Sequence, residues 1–223
     1  MSTVFVTGAG TGVGKTYVTA LLVRELRTRG VSVRAVKPVI TGFDETTLDR
    51  SDSAILLDAM GELATPEMIA TISPWRFAAP LAPNMAARLE GKRIDFDAVV
   101  SFCKDAALNA GGPVLIEGVG GVMAPLDDDR TVLDWIAALG APVLVVCGSY
   151  LGAISHALTA LAALREHRAK VAALVASESE DGVDLNETMA ALRRHAGVPV
   201  LAVRRSAKQI GLDQVPDLDA LLS

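Results

Sequence analysis

Thr7-Gly8-Ala9-Gly10-Thr11-Gly12-Val13-Gly14-Lys15-Thr16 decides the fold, because it follows the apolar run Val4-Phe5-Val6 and leads into an amphipathic stretch over 16–29. Strand, glycine-rich turn and helix in that order make a cradle for phosphate. The glycines let successive backbone N–H groups point inward, and the helix start adds its positive dipole end. Lys15 is placed to bridge the outer phosphates of a nucleoside triphosphate, and the uncharged hydroxyl of Thr16 suits a magnesium ion shared with them. The spacing departs from the common phosphate loop in one place: Ala9 stands where a glycine is usual, and Gly8 lies one residue earlier.

Working outward, 16–29 carries Val18, Leu21, Leu22 and Leu26 on one face and Arg24 and Arg27 on the other, with Gly30 where a helix C-cap belongs. Further short runs at 114–116, 143–146, 171–175 and 198–203 are apolar on both alternations, as strands buried on two faces are, and 31–36, interrupted by Ser32 and Arg34, reads as a strand beside them. Helical patterns separate them. The fold class predicted is therefore α/β, a doubly wound and mostly parallel sheet flanked by helices, whose ligands gather at the carboxyl ends of the strands. At 223 residues and 51% hydrophobic content, without a linker, repeat or low-complexity run, the chain fits one domain over 1–223.

The net charge of -5 offers no basic field for a nucleic acid backbone, so small metabolites are the expected partners. No apolar run reaches the length of a membrane span and no charged-then-apolar leader opens the chain, which points to a soluble cytoplasmic protein and no membrane partner. Cys103 and Cys147 lack the spacing of metal ligands and are expected to be reduced and buried.

Three further positions carry chemistry. Glu117 closes the apolar run Val114-Leu115-Ile116 and precedes Gly118-Val119-Gly120-Gly121. A carboxylate at the carboxyl end of a buried parallel strand lies beside the phosphate loop, where it can ligate magnesium or orient its water. Lys37-Pro38, at the end of the second strand, puts a second cation on the same face, suited to charge on a transferring phosphoryl group. Asp52, in Asp49-Arg50-Ser51-Asp52-Ser53, reads by itself as an N-cap for the helix that follows rather than as a metal ligand.

These residues, together with Val36-Lys37-Pro38-Val39, Thr41-Gly42, Ser51-Asp52, Pro74-Trp75-Arg76-Phe77-Ala78-Ala79-Pro80 and Leu151-Gly152-Ala153-Ile154-Ser155-His156, occur in the order seen in the dethiobiotin synthetases. The chain resembles that family from its start to about residue 176. The resemblance implies a homodimeric ligase that uses magnesium and ATP to carboxylate 7,8-diaminononanoate with CO2 or bicarbonate and close a cyclic urea. Carried over residue by residue, it implies that Lys37 and Lys15 are catalytic and that Thr16, Asp52 and Glu117 hold magnesium, which reverses the N-cap reading of Asp52. It implies that Gly12, Val13, Gly14, Lys15, Thr16 and Tyr17, with Asp52, Glu117, Gly118, Val119, Gly120 and Ser177, bind the nucleotide. It places Thr41 on the diamino acid, with Gly152, Ala153 and Ser155 binding the substrate carboxylate across a homodimer interface. His156 is read as structural.

Two stretches depart from the family. Ser177 stands where an asparagine often reads the adenine edge, and Arg204-Arg205 replaces the usual Ile-Pro, so the nucleotide preference stays open. A dimeric switch-type ATPase of the partition or metal-cluster-assembly kind is the alternative, although such proteins carry a second lysine near the loop's start, where this chain has Gly10.

Overall fold

The computed structural model describes residues 2–210, Gln214 and Leu222. Eight strands and eight helices occur among them: β1 (Thr3–Gly8), α1 (Lys15–Thr28), β2 (Arg34–Val36), β3 (Val39–Thr41), α2 (Asp52–Met60), α3 (Pro66–Ile72), β4 (Trp75–Phe77), α4 (Pro83–Leu89), α5 (Phe96–Asn109), β5 (Val114–Glu117), α6 (Val132–Leu139), β6 (Val143–Cys147), α7 (Ala153–Glu166), β7 (Val171–Ser177), α8 (Leu185–His195) and β8 (Val200–Val203). A short 3-10 helix, Glu45–Arg50, leads into α2.

Six strands form one sheet in the order β2-β5-β1-β6-β7-β8, and each neighbouring pair is parallel. The chain leaves β1 toward β2 and β5 on one side, then crosses to β6, β7 and β8 on the other. The switch therefore falls between β1 and β6, and the turn after β1 is the phosphate-loop sequence, where open α/β sheets bind their ligands. β1, β5 and β6 are buried along nearly their whole length, as strands covered by helices on both faces must be. Phe5 on β1 packs edge-to-face on the fully buried Trp135 of α6, ring centroids 4.9 Å apart, tying the central strand to its covering helix.

The six expected strands are all present, with two shortened starts. Val31 donates its N–H to the Leu26 carbonyl, and Gly30, at φ 80°, donates to Arg27. That pair of bonds is a Schellman closure of α1 and takes the donor a strand at Val31 would need. At the other end β8 begins after Pro199, which has no N–H to give a ladder.

The second sheet, β3 paired with β4, is not apparent from periodicity. Pro38 separates β3 from β2, and three residues are too few to show a period. The pairing brings Thr41 opposite Phe77, so the Trp75-Arg76-Phe77 motif holds Thr41 in place from a distant part of the chain. Cys103, in α5, and Cys147, at the end of β6, are free and buried, as expected. No helix among the described residues is long and apolar enough to cross a membrane.

Candidate active site

The phosphate loop owes its shape to glycines at two left-handed positions, Gly12 at φ 70° and Gly14 at φ 89°. Gly14 is the N-cap of α1, and a Cβ there would meet the Ser177 hydroxyl at 2.7 Å. No other residue type fits it without strain and collision. Lys15 folds back over the loop, and its ammonium donates to the carbonyls of Gly10 at 2.9 Å and Gly120 at 2.7 Å. Burial, and then the neighbouring charge of Lys37, lower its pKa to about 8 against the opposing pull of Glu117 and Asp52.

Glu117 ends β5 fully buried, level with Val6 of β1 in the ladder. Its Oε1 accepts from the Thr16 hydroxyl at 2.7 Å and from the Lys37 ammonium at 2.6 Å. Its Oε2 is buried without a hydrogen-bond partner among the described residues. Asp52 Oδ2 lies 2.6 Å from the same Lys37 nitrogen.

Ser51, not Asp52, caps α2: the Ser51 hydroxyl accepts the Ala54 N–H at 3.1 Å. The neighbouring residue thus does the capping that sequence alone would give to Asp52, and the aspartate is left to reach Lys37. Burial opposes the charge on Lys37, but Glu117 and Asp52 outweigh it and raise its pKa, so the ammonium stays protonated. Burial likewise works against the charge of Asp52, and Lys37, the Thr16 hydroxyl and Lys15 reverse that and hold its carboxyl below the usual range.

These groups line or underlie a cleft of about 670 Å³ at the carboxyl ends of β1, β2 and β5. Gly12, Gly14, Lys15, Thr16 and Tyr17 form its floor, Lys37, Thr41 and Asp52 one flank, and Val119 and Gly120 another. Pro80, Leu81, Ala82 and Pro83 close the far wall, a lining that sequence chemistry alone does not single out because it is apolar and offers no reactive group.

Other expected residues lie elsewhere. Val13 is buried beneath the loop. Gly118 packs on Phe5, whose ring a Cβ would meet at 2.9 Å. Ser177 ends β7 behind Gly14. Gly152, Ala153 and Ser155 open α7, with Gly152 at φ 98° and no side chain capping the helix, and none of them lines the cleft. Tyr150 and the exposed His156 bond to each other at 2.8 Å beside that turn.

A carboxylate oxygen with no partner, a second carboxylate and a hydroxyl, all oxygen donors beside a phosphate loop, fit a hard divalent cation such as magnesium. Residues 2–209 match the family model described as an AAA domain. A curated relative from Methylobacterium nodulans, the ATP-dependent dethiobiotin synthetase BioD, is 51% identical, covering 97% of this chain and all of that protein. Its counterpart from Acidiphilium cryptum is 45% identical over 100% of this chain and 97% of that one.

The chain belongs to the dethiobiotin synthetase family. It is thus an ATP-dependent ligase, and the cleft described above is its candidate active site. Solved structures support the P-loop fold alone: a hydrogenase maturation factor HypB from Archaeoglobus fulgidus is 14% identical at a TM-score of 0.57, covering all of this chain and 91% of that one. The signal recognition particle receptor FtsY from Elizabethkingia anophelis is 18% identical at a TM-score of 0.56, covering all of this chain and 65% of that one.

Proposed function

We propose that this chain converts 7,8-diaminononanoate, CO2 and ATP to dethiobiotin, ADP and phosphate through a carbamate and a carbamoyl-phosphate mixed anhydride. The observation that carries the proposal is Lys37, a cation sealed between Asp52 and Glu117 and lining the same cleft as Lys15 and Thr41. One amine of the diamine, as its carbamate, presents an oxygen to the γ-phosphorus. The bond to ADP breaks, and the second amine then attacks the carbamoyl carbon, expelling phosphate and losing its proton as the ring closes.

Lys15 holds the outer phosphates from the loop side, exchanging the carbonyls of Gly10 and Gly120 for phosphate oxygens. Lys37 approaches from the Thr41 side and balances charge that gathers on the transferring group. Two fixed cations in a largely buried site need no reorganisation as that charge moves. Thr16, Asp52 and Glu117 would hold magnesium, which neutralises phosphate charge when bound. Val119 and the prolines at 80 and 83 exclude water that would otherwise hydrolyse the mixed anhydride. Thr41 orients the diamine, and the nucleotide's base lies toward Ser177.

The substrate carboxylate is assigned to the start of α7, where Gly152, Ala153 and Ser155 present an uncapped helix end next to the exposed Leu151. That turn stands outside the cleft of its own chain, so a second copy supplies it and the working unit is a homodimer. The fold is taken as one domain over 1–223, acting in the cytoplasm on small molecules.

Mass spectrometry of the product formed from carbon-13-labelled bicarbonate tests the reaction. A cyclic urea carrying one labelled carbon supports it. An unlabelled product, or diamine recovered unchanged while ATP is consumed, contradicts it.

A further inference from the structure

Tyr17 directly follows the lysine and threonine of the phosphate loop, yet its hydroxyl turns to the far end of the chain. It lies 2.9 Å from the carbonyl oxygens of Arg205 and Ala207 and 3.2 Å from that of Arg204. A phenol has a single proton to donate. Three carbonyls converging on one oxygen are therefore a turn shaped around that hydroxyl, which shares its proton among them. The turn is closed by the Ala207 N–H donating to Arg204 O at 2.9 Å.

Two more ties fix the same segment. Glu25, eight residues along α1 and on the same broad stripe of the helix, is buried and accepts the Ile210 N–H at 2.8 Å. Glu178, just past β7, accepts the Arg205 N–H at 3.0 Å. Residues 204–210 are thus strapped along α1 from its first turn at Tyr17 to its third at Glu25, and to the segment just past β7 at Glu178.

The sheet order gives the strap its place relative to a triphosphate. Lys15 and the loop follow β1, and the metal-ligand and acceptor groups Glu117, Asp52 and Lys37 all lie on the β5–β2 side. On the other side of the loop β7 and β8 end in Ser177, which lies against Gly14, and Val203, where the strap begins, so this side is free of those groups and open to the nucleoside half.

We propose that Tyr17 is a positioning residue: its hydroxyl fixes the 204–207 turn as the wall that supports the sugar-and-base end of the nucleotide. This rests on the nucleotide reading of the loop. The phosphates are held by Lys15 and the loop backbone, which do not touch the strap, so the two halves of the ligand should respond differently to loss of the hydroxyl. Phenylalanine keeps the ring and removes only the tie, and the Glu25 anchor stays.

Isothermal titration of the full chain with magnesium ATP and with magnesium tripolyphosphate, for wild type and Tyr17→Phe, separates the two halves, and melting temperatures confirm folding. ATP binding is expected to weaken about three- to tenfold, the span of one hydrogen bond, while tripolyphosphate affinity stays within about twofold. Unchanged ATP affinity in the variant, or equal weakening for both ligands, overturns the role of Tyr17. Wild type that binds neither ligand overturns the nucleotide reading itself, and this inference with it.

Discussion

The ammonium of Lys37 and the carboxylate of Glu117 meet at 2.6 Å with side chains 5% and 0% exposed, although 80 residues separate them in the chain. Each alone would be a costly buried charge, and the pair is tolerated because each neutralises the other. Asp52 completes the set from the cleft edge. One cation thus holds together the two carboxylates proposed as magnesium ligands.

Removing that cation leaves Glu117 buried and uncompensated. Lys37→Met is expected to lower stability by about 3 kcal/mol in urea titrations near neutral pH, the usual cost of breaking a buried pair from one side. Lys37→Met with Glu117→Gln is expected to recover part of the loss. Equal stability of wild type and the single variant would contradict the pairing.

Lys37 and a metal ion compete for the same oxygens in this arrangement. Nucleotide-free wild type is expected to bind manganese weakly, and Lys37→Met to bind it more tightly, because Asp52 and Glu117 are then left without their cation. Paramagnetic resonance of free manganese measures this directly. Weaker binding by the variant would mean that Lys37 supports the metal site rather than occupying it.

Lys15 is depressed to about 8 in the nucleotide-free protein, chiefly by burial. Phosphate oxygens favour its charged form, so above about pH 8 nucleotide binding should take up a proton. Calorimetry in buffers of different ionisation heat will show that uptake, and Lys15→Met will abolish it. The stability sign follows from the same shift. A lysine with a lowered folded pKa is charged in both states below about 8, and stability gains as pH rises from there toward the unfolded value of 10.5.

Gly14 and Gly12 share a left-handed backbone but differ in surroundings. Alanine at 14 adds a collision with Ser177, whereas a Cβ at 12 meets nothing within 4 Å. Gly14→Ala is expected to weaken ATP binding at least about tenfold more than Gly12→Ala, since left-handed strain of about 1–3 kcal/mol is common to both and only position 14 adds the collision. Titration of both variants checks the order.

Both thiols are held in the protonated form, with burial pushing Cys103 and Cys147 up to about 12. Neither should react with an aromatic disulfide reagent in the native protein, and both should react in denaturant. Rapid labelling of either in the folded state would contradict their placement.

Much of this site was readable in sequence because it is built from strand ends. Gly14-Lys15-Thr16, Lys37-Pro38 and Glu117 each come after a run rich in β-branched residues that reads as a strand, and the parallel sheet then brings its carboxyl ends together. Asp52 was ambiguous because Ser51 and Asp52 are both good caps, and only the geometry shows which one does the capping. The β3–β4 sheet was hidden because each strand is three residues long and its partner is distant in sequence. The ties of Tyr17 and Glu25 to 204–210 were equally invisible, since they are hydrogen bonds to backbone groups and leave no residue-type signal. Family resemblance supplied the diamine chemistry and the role given to the start of α7, which no pattern of residues alone would give.

The most direct test of the account is phosphate release from the purified chain with magnesium ATP and bicarbonate, with and without 7,8-diaminononanoate, and with Lys37→Ala in parallel. The account predicts release that requires the diamine, matches cyclic urea formed one for one, and falls by at least about a hundredfold in the variant. Release that ignores the diamine would leave a phosphate loop that hydrolyses ATP and would contradict the synthetase mechanism.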